Sequence, residues 1–180
     1  SRGLGDVYKR QTQEQLDYLR FPLGSINKSE TRNIAEKLDE YNKERKQIEA
    51  KIFEEALQLI DPHYERHVLM VMGEGWHQGV IGIIASRLKE RFDRPTCVLT
   101  RNGDTVVGSG RSVSGIDLGA AVIAARQRGI IIAGGGHAMA AGFTLQTSNV
   151  EKFHKFVEKH VFKTLVKEDL QPTLSIDSTV

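Results

Sequence analysis

The chain has 180 residues, with 25 Lys and Arg against 23 Asp and Glu and 39% apolar residues, enough for one domain with a sizeable core and some connecting chain. No apolar run approaches the roughly 20 residues of a membrane helix, no secretory signal is visible, and a lone cysteine, Cys97, excludes an internal disulfide and fits a reducing, cytoplasmic setting. The formal charge of +2 argues for no polyanionic partner by itself, because Arg2, Lys9 and Arg10 against Asp6 place all of it in residues 1–11; any basic surface must come from local clustering.

In chain order, Asp6-Val7-Tyr8-Lys9-Arg10-Gln11 reads as one frame of a transposon end used in sequencing libraries. The expectation is that residues 1–11 are a sequencing artefact and that the natural protein continues upstream. Residues 12–62 read as a connector. They begin irregularly, with a break at Phe21-Pro22-Leu23-Gly24, and continue as a long helix from Ser29 to Ile60. Asn27 with Glu30 resembles a capping box, and Asp61-Pro62 ends the helix. Ile34, Leu38, Tyr41, Ile48, Ile52, Ala56 and Leu59 recur at steps of four and three, with Arg45 in the core-side gap. One apolar stripe on so charged a helix suits a connector between domains, or half of a coiled coil.

Residues 63–168 read as an α/β domain. His67 to Met72 suits a buried strand, Gly73 to His77 a loop, and Gly79 to Phe92 a helix. Thr96 to Arg101 and Thr105 to Gly108 are strands joined by an Asn102-Gly103 hairpin turn. Ile116 to Arg128 is a second helix, Gly142 to Gln146 a strand, and Val150 to Lys167 an amphipathic helix. The expected fold is α/β, a mixed β-sheet flanked by helices and preceded by the long connector helix. Thr173 to Val180 starts another alternating strand, so residues 169–180 read as the beginning of a further domain.

Two glycine-rich segments carry the chemistry. In Gly108-Ser109-Gly110-Arg111-Ser112, glycine permits close approach of a ligand to the backbone, arginine can grip a phosphate through parallel donors, and serine adds a neutral donor. The same residues also suit a structural arginine paired to a carboxylate. In Gly134-Gly135-Gly136-His137, successive N–H groups can converge on one anion. Ala138-Met139-Ala140-Ala141 is long enough for a helical turn whose dipole would help, and the imidazole is a further donor; a flexible loop is the alternative. The spacing fits neither a Walker loop nor a dinucleotide fingerprint. In Trp76-His77-Gln78-Gly79-Val80-Ile81-Gly82-Ile83, His77 could reach a ligand and Trp76 could stack on a base or anchor the core, while Gly79 and Gly82 point to tight packing or a nearby ligand.

Other titratable residues argue against chemistry here. His63 and His67 are four apart, but Pro62 and a following strand keep them off one helical face, and His154 and His160 suit solvated helix positions. Cys97 suits an inert core thiol. No clustered Asp and His set of the two-metal kind and no nucleophile elbow is present in the sequence.

These motifs, in this order, resemble the DHH-associated domain of the RecJ family, bacterial single-stranded-DNA-specific 5′→3′ exonucleases within the DHH phosphoesterase superfamily. The residues that carry the resemblance are Trp76 to Arg87, Phe92 with Arg94-Pro95, Gly108 to Ser112 with Gly115, and Gly135 to Gly142. It extends more loosely to Leu38, Asn42, Arg45 and Glu49, which look like the family's connector, and from Thr173 onward to the start of an oligonucleotide-binding domain. The glycine-histidine motif alone is shared with other DHH phosphoesterases and, more distantly, with alanyl-tRNA synthetase.

The resemblance implies an upstream DHH domain that holds two divalent ions, manganese or magnesium, and a domain here that grips single-stranded DNA. Ser109 and Arg111 would bind the 5′ phosphate with Ser112 beside them, Gly135, Gly136 and His137 would line the cleft facing the metals, and His77 would be a further contact. With the DHH motifs absent from this sequence, the chain is expected to bind DNA for repair and recombination without cutting it. The alternatives are the substrate-binding half of an oligoribonucleotide or cyclic-dinucleotide phosphodiesterase, and a non-enzymatic nucleic-acid-binding module.

Overall fold

The computed structural model describes residues 27–61 and 64–167. The readings of residues 1–11, of the break before Asn27, of His63 and of the strand from Thr173 lie outside the described residues. The chain divides into two units between Glu44 and Arg45, inside one long helix, α1 (Lys28–Gln58).

In the first unit the capping box forms as the sequence predicts. Asn27 Oδ1 accepts the Glu30 N–H and Glu30 Oε2 accepts the Asn27 N–H, each at 2.9 Å. The apolar stripe stays on the surface of this unit, with Ile34, Leu38 and Tyr41 all exposed.

In the second unit the end of α1 buries Ile52, Phe53 and Ala56. The strands and helices that follow are β1 (Leu69–Glu74), α2 (Gln78–Phe92), β2 (Thr96–Asn102), β3 (Thr105–Arg111), α3 (Leu118–Gln127), β4 (Ala133–His137), β5 (Ala140–Gln146) and α4 (Val150–Lys167). They build a five-stranded sheet in the order β1-β2-β3-β5-β4. Only β1 and β2 run parallel; the other pairs are antiparallel. The hairpin expected at Asn102-Gly103 forms one residue later: Asn102 pairs with Thr105 and Gly103-Asp104 make the turn, with Gly103 at φ +61°, and the antiparallel pairing makes the sheet mixed, as expected.

Each face of the sheet has its own core. On one side Leu69, Val71 and Val98 pack against Ile81, Ile84 and Leu88 of α2 and Ile52 and Phe53 of α1. On the other, Cys97, Leu99, Val106, Phe143 and Leu145 pack against Val122 of α3 and Phe153 and Val157 of α4. Each such side chain contributes about 1.5–3 kcal/mol by leaving water. Trp76 belongs to the first core: it is 5% exposed, and its indole N–H donates to Glu55 at 2.8 Å. That settles the choice between base stacking and core anchor in favour of the anchor. Arg45 does not fill a core position; it pairs with Glu49 at 3.5 Å. Glu49 also takes Arg87 at 3.3 Å, and the Arg87 guanidinium lies over the Phe53 ring.

Two sequence expectations are corrected. The residues after the triple glycine form no helical turn: β4 runs through to His137, and Ala138-Met139 turn the chain directly into β5, so that His137 faces Ala140. One isolated turn would leave these residues without a ladder and carry the full nucleation cost, whereas the hairpin pairs them. No helix dipole therefore acts there. His154 is not solvated but 6% exposed. Arg66 donates to its Nδ1 at 2.8 Å, and because arginine only donates, the ring proton sits on Nε2 and goes to the Val68 carbonyl at 2.9 Å.

Burial holds the His154 imidazole below its usual 6.5 despite the hydrogen bond to Val68. Nearby, burial pushes the Glu158 carboxyl up, but donation from the His67 backbone and ring and from the Val68 backbone outweighs it and leaves the group below 4.5. Both depressed values act with the same sign. The unfolded chain takes up the His154 proton first as pH falls through about 6.5, and the Glu158 proton further down, so stability is full above that range and is lost on acidification. The melting temperature should fall steadily from about pH 7 to about pH 5, and His154→Gln should flatten the upper part of that slope; a thermal melt series checks both.

Candidate functional site

Alternation along β3 sends Ser109 and Arg111 to the face that carries α2, and Gly108 and Gly110 to the opposite face. The glycines of this motif are thus packing residues. A Cβ on Gly108 would overlap the Phe143 ring, and one on Gly110 would lie 2.6 Å from Leu118. They do not open the strand to a ligand.

Ser109 and Arg111 meet each other. An Arg111 NH donates to Ser109 Oγ at 3.1 Å, and the same nitrogen to the Gly110 carbonyl at 2.9 Å. No carboxylate among the described residues pairs with this guanidinium, so the structural ion pair that the sequence allowed is not present. Gly82 of α2 stands directly above. A Cβ there would come within 2.9 Å of Arg111 Nη2 and 3.1 Å of Ser109 Oγ. The helix glycine makes the room that these two side chains occupy. A half-buried, uncompensated guanidinium beside a hydroxyl offers an anion a positive potential and charge-assisted donors.

The register carries this site across the sheet. Ser109 lies beside Gly142, and Gly142 beside Gly135. Arg111 lies beside Ala140, and Ala140 beside His137. Directly paired residues share a face, so one hydroxyl, two bare glycines, a guanidinium and an imidazole stand on one surface. A Cβ on Gly135 or Gly142 would meet nothing within 4 Å, so the floor is open where α2 ends its cover. Arg111 and His137 flank it at two strand spacings, roughly 10 Å.

The remaining predicted residues fall elsewhere. Gly136, at φ +158°, sits where the hairpin closes, and a Cβ there would overlap the Ala140 carbonyl oxygen. Ser112 is buried; its hydroxyl donates to the Ile116 carbonyl at 2.7 Å and its N–H to Met139, so its donors are spent on the loop. His77 caps α2, its Nδ1 accepting the Gly79 N–H at 3.1 Å. It lines a separate cleft with Gln78, Thr100, Arg101 and Asn102, towards the other end of β2. Gly82, which the sequence marks for tight packing or a nearby ligand, packs over Ser109 and Arg111, and Gly142 is a site position to which the sequence reading gave no contact role. Cys97 is buried, and burial pushes its thiol up to about 12.

Among the described residues no group of three or more His, Cys, Asp or Glu side chains is placed to hold a metal ion. The described residues therefore do not fit the divalent pair of a DHH active site. No described helix is long and apolar enough to cross a membrane.

Residues 65–162 match the DHHA1 domain family. The chain is 33% identical over 167 residues to the single-stranded-DNA-specific exonuclease RecJ of Bacillus subtilis, covering 91% of this chain and 21% of that protein. It is 40% identical over 156 residues to RecJ of Escherichia coli, covering 82% and 26%. The crystal structure of Thermus thermophilus RecJ in complex with Mg2+ superposes with a TM-score of 0.67 at 26% identity, over 77% of this chain and 21% of that one. The chain thus spans between a fifth and about a quarter of the length of these relatives. It belongs to the DHHA1 domain family and, within it, is similar to the RecJ exonucleases.

Proposed function

We propose that the chain is the strand-gripping layer of a RecJ-type exonuclease, a phosphodiester hydrolase of DNA repair and recombination in the cytoplasm. In this reading Ser109 and Arg111 hold the 5′ phosphate of single-stranded DNA, and the manganese or magnesium pair is supplied by a DHH domain outside the described residues. The observation that carries it is the Arg111 guanidinium, in contact with Ser109 and beneath Gly82, with no carboxylate partner among the described residues.

The chemistry of the surface supports a phosphate of a chain over a free anion. The guanidinium and the Ser109 hydroxyl, 3.1 Å apart, are close enough to share the oxygens of one phosphate group. The glycine floor of Gly142 and Gly135 lets a sugar-phosphate backbone lie against the sheet. His137 stands where the next group along the strand would pass. The residues grip and orient; nothing among them activates water.

The test is competitive binding to the 180-residue chain. A short 5′-phosphorylated single strand should bind roughly tenfold or more tightly than its 5′-hydroxyl counterpart, the scale of a charge-assisted contact. A cyclic dinucleotide, which has no terminal phosphate, should compete poorly. Strong displacement of the strand by the cyclic dinucleotide would favour a phosphodiesterase layer instead. Metal-dependent cleavage by the chain alone would overturn the division of labour.

A further inference from the structure

On the layer behind the sheet, α3 and α4 leave a cleft of about 390 Å³ lined by Ala124, Arg128, Phe156, Lys159, His160 and Lys163. None of these residues is acidic, and no ion pair engages Arg128, Lys159 or Lys163 among the described residues. The neighbouring carboxylates of α4 are committed elsewhere, Glu151 to Arg66 and Lys155, and Glu158 to His67 and Val68. The net charge of residues 12–180 is zero, so three uncompensated cations in one cleft are a local concentration that composition does not explain.

We propose that this cleft is a second, sequence-independent contact for single-stranded nucleic acid, on the opposite layer from the phosphate pocket. It rests on the reading of the chain as a strand-binding layer and extends it to nucleotides far from the 5′ end. Lys159 and Lys163 stand one helical step apart on the same face of α4, a pair of exposed point charges suited to successive phosphates. Arg128, at the C-terminal end of α3, lies over the Phe156 ring at 5.0 Å. The ring lies against the guanidinium of an otherwise exposed residue, and an exposed guanidinium plane is a stacking platform for a base. That feature favours a nucleic acid over an acidic peptide, which would use the charges and leave the plane idle.

The experiment measures binding of 5′-phosphorylated oligodeoxythymidylates of about four and about twenty nucleotides to the 180-residue chain over a salt series. The variant is Lys159→Gln/Lys163→Gln, two exposed positions, with circular dichroism melts to establish an unchanged fold. The variant should bind the long strand roughly five- to tenfold more weakly at low salt, and its log–log salt slope should shrink by about 1.4, at about 0.7 per single-strand phosphate contact. The short strand should be unaffected. Arg128→Gln should also weaken the long strand alone. Unchanged affinity and slope for the long strand in the double variant would overturn the proposal. So would a loss confined to a polyglutamate competitor, which would make the cleft a peptide surface. Failure of the phosphate pocket would show separately, as a short strand that binds no better with its 5′ phosphate than without.

Discussion

Arg111→Ala is expected to erase the preference for a 5′-phosphorylated strand, weakening its binding by roughly 10- to 150-fold, the equivalent of the 1.5–3 kcal/mol of a charge-assisted hydrogen bond. The fold should survive. Arg111 stands at the end of β3, makes no ion pair among the described residues, and its guanidinium donates to Ser109 Oγ and the Gly110 carbonyl. Truncation therefore strands no buried charge, and Ser109 keeps access to solvent at the half-buried edge. Arg111→Lys restores the charge without the fork and should recover only part of the preference. Gly82→Ala attacks the same pocket from above. Its Cβ would press on the far end of the flexible guanidinium and on Ser109 Oγ, so the side chains give way cheaply. Alanine also favours the helix by about 1 kcal/mol. Undiminished stability with weakened phosphate preference is the expected combination. A 5′-phosphate preference that persists in Arg111→Ala, measured by fluorescence anisotropy, would remove the residue from the site.

Much of this fold can be read along the chain, because its signals are local. Asn27 and Glu30 cap α1 across three residues, Asn102-Gly103 signals the tight β2–β3 hairpin, and the spacing of Phe153, Val157 and Val161 marks α4. The misreadings share a different cause: each depends on a contact that the local side-chain pattern does not carry. His154 is a polar residue on an amphipathic helix until Arg66 and the Val68 carbonyl, 88 and 86 positions away, meet its two nitrogens. The triple glycine carries no side-chain periodicity at all, so only the ladder to β5 identifies it as a strand. The glycines of the serine-arginine motif suggest ligand access when taken alone, yet in three dimensions Phe143 and Leu118 fill the space their side chains would need. Gly82 is the converse case. Its spacing in the helix signals crowding, but what crowds it, Ser109 and Arg111, is fixed only by the crossing of α2 over β3.

The neighbouring glycines Gly135 and Gly136 should separate binding from folding. Gly136→Ala is expected to destabilise the protein by about 3 kcal/mol, because the position combines a positive φ with a Cβ that overlaps the Ala140 carbonyl oxygen and the Ala141 backbone. Backbone atoms of a paired strand cannot step aside as a side-chain tip does, so the hairpin must open at His137↔Ala140. For a chain of this size that is a fall in melting temperature of roughly 6–12 °C. Gly135 differs in both respects. Its φ is ordinary, and a Cβ there enters open space on the exposed face beside Gly142. Gly135→Val should therefore fold with a melting temperature within about 2 °C of the parent, since a β-branched residue suits a strand. If that open space is where the sugar-phosphate backbone lies, the isopropyl group fills it, and strand affinity should drop by at least roughly tenfold with no loss of stability. A Gly135→Val protein that folds and binds the strand normally would mean that the shelf beside Ser109 is not the path of the nucleic acid. A Gly135→Val protein that unfolds would instead reveal packing on that face. Thermal melts and strand-binding isotherms on the two variants distinguish a glycine needed for the turn of the chain from one needed for the approach of its ligand.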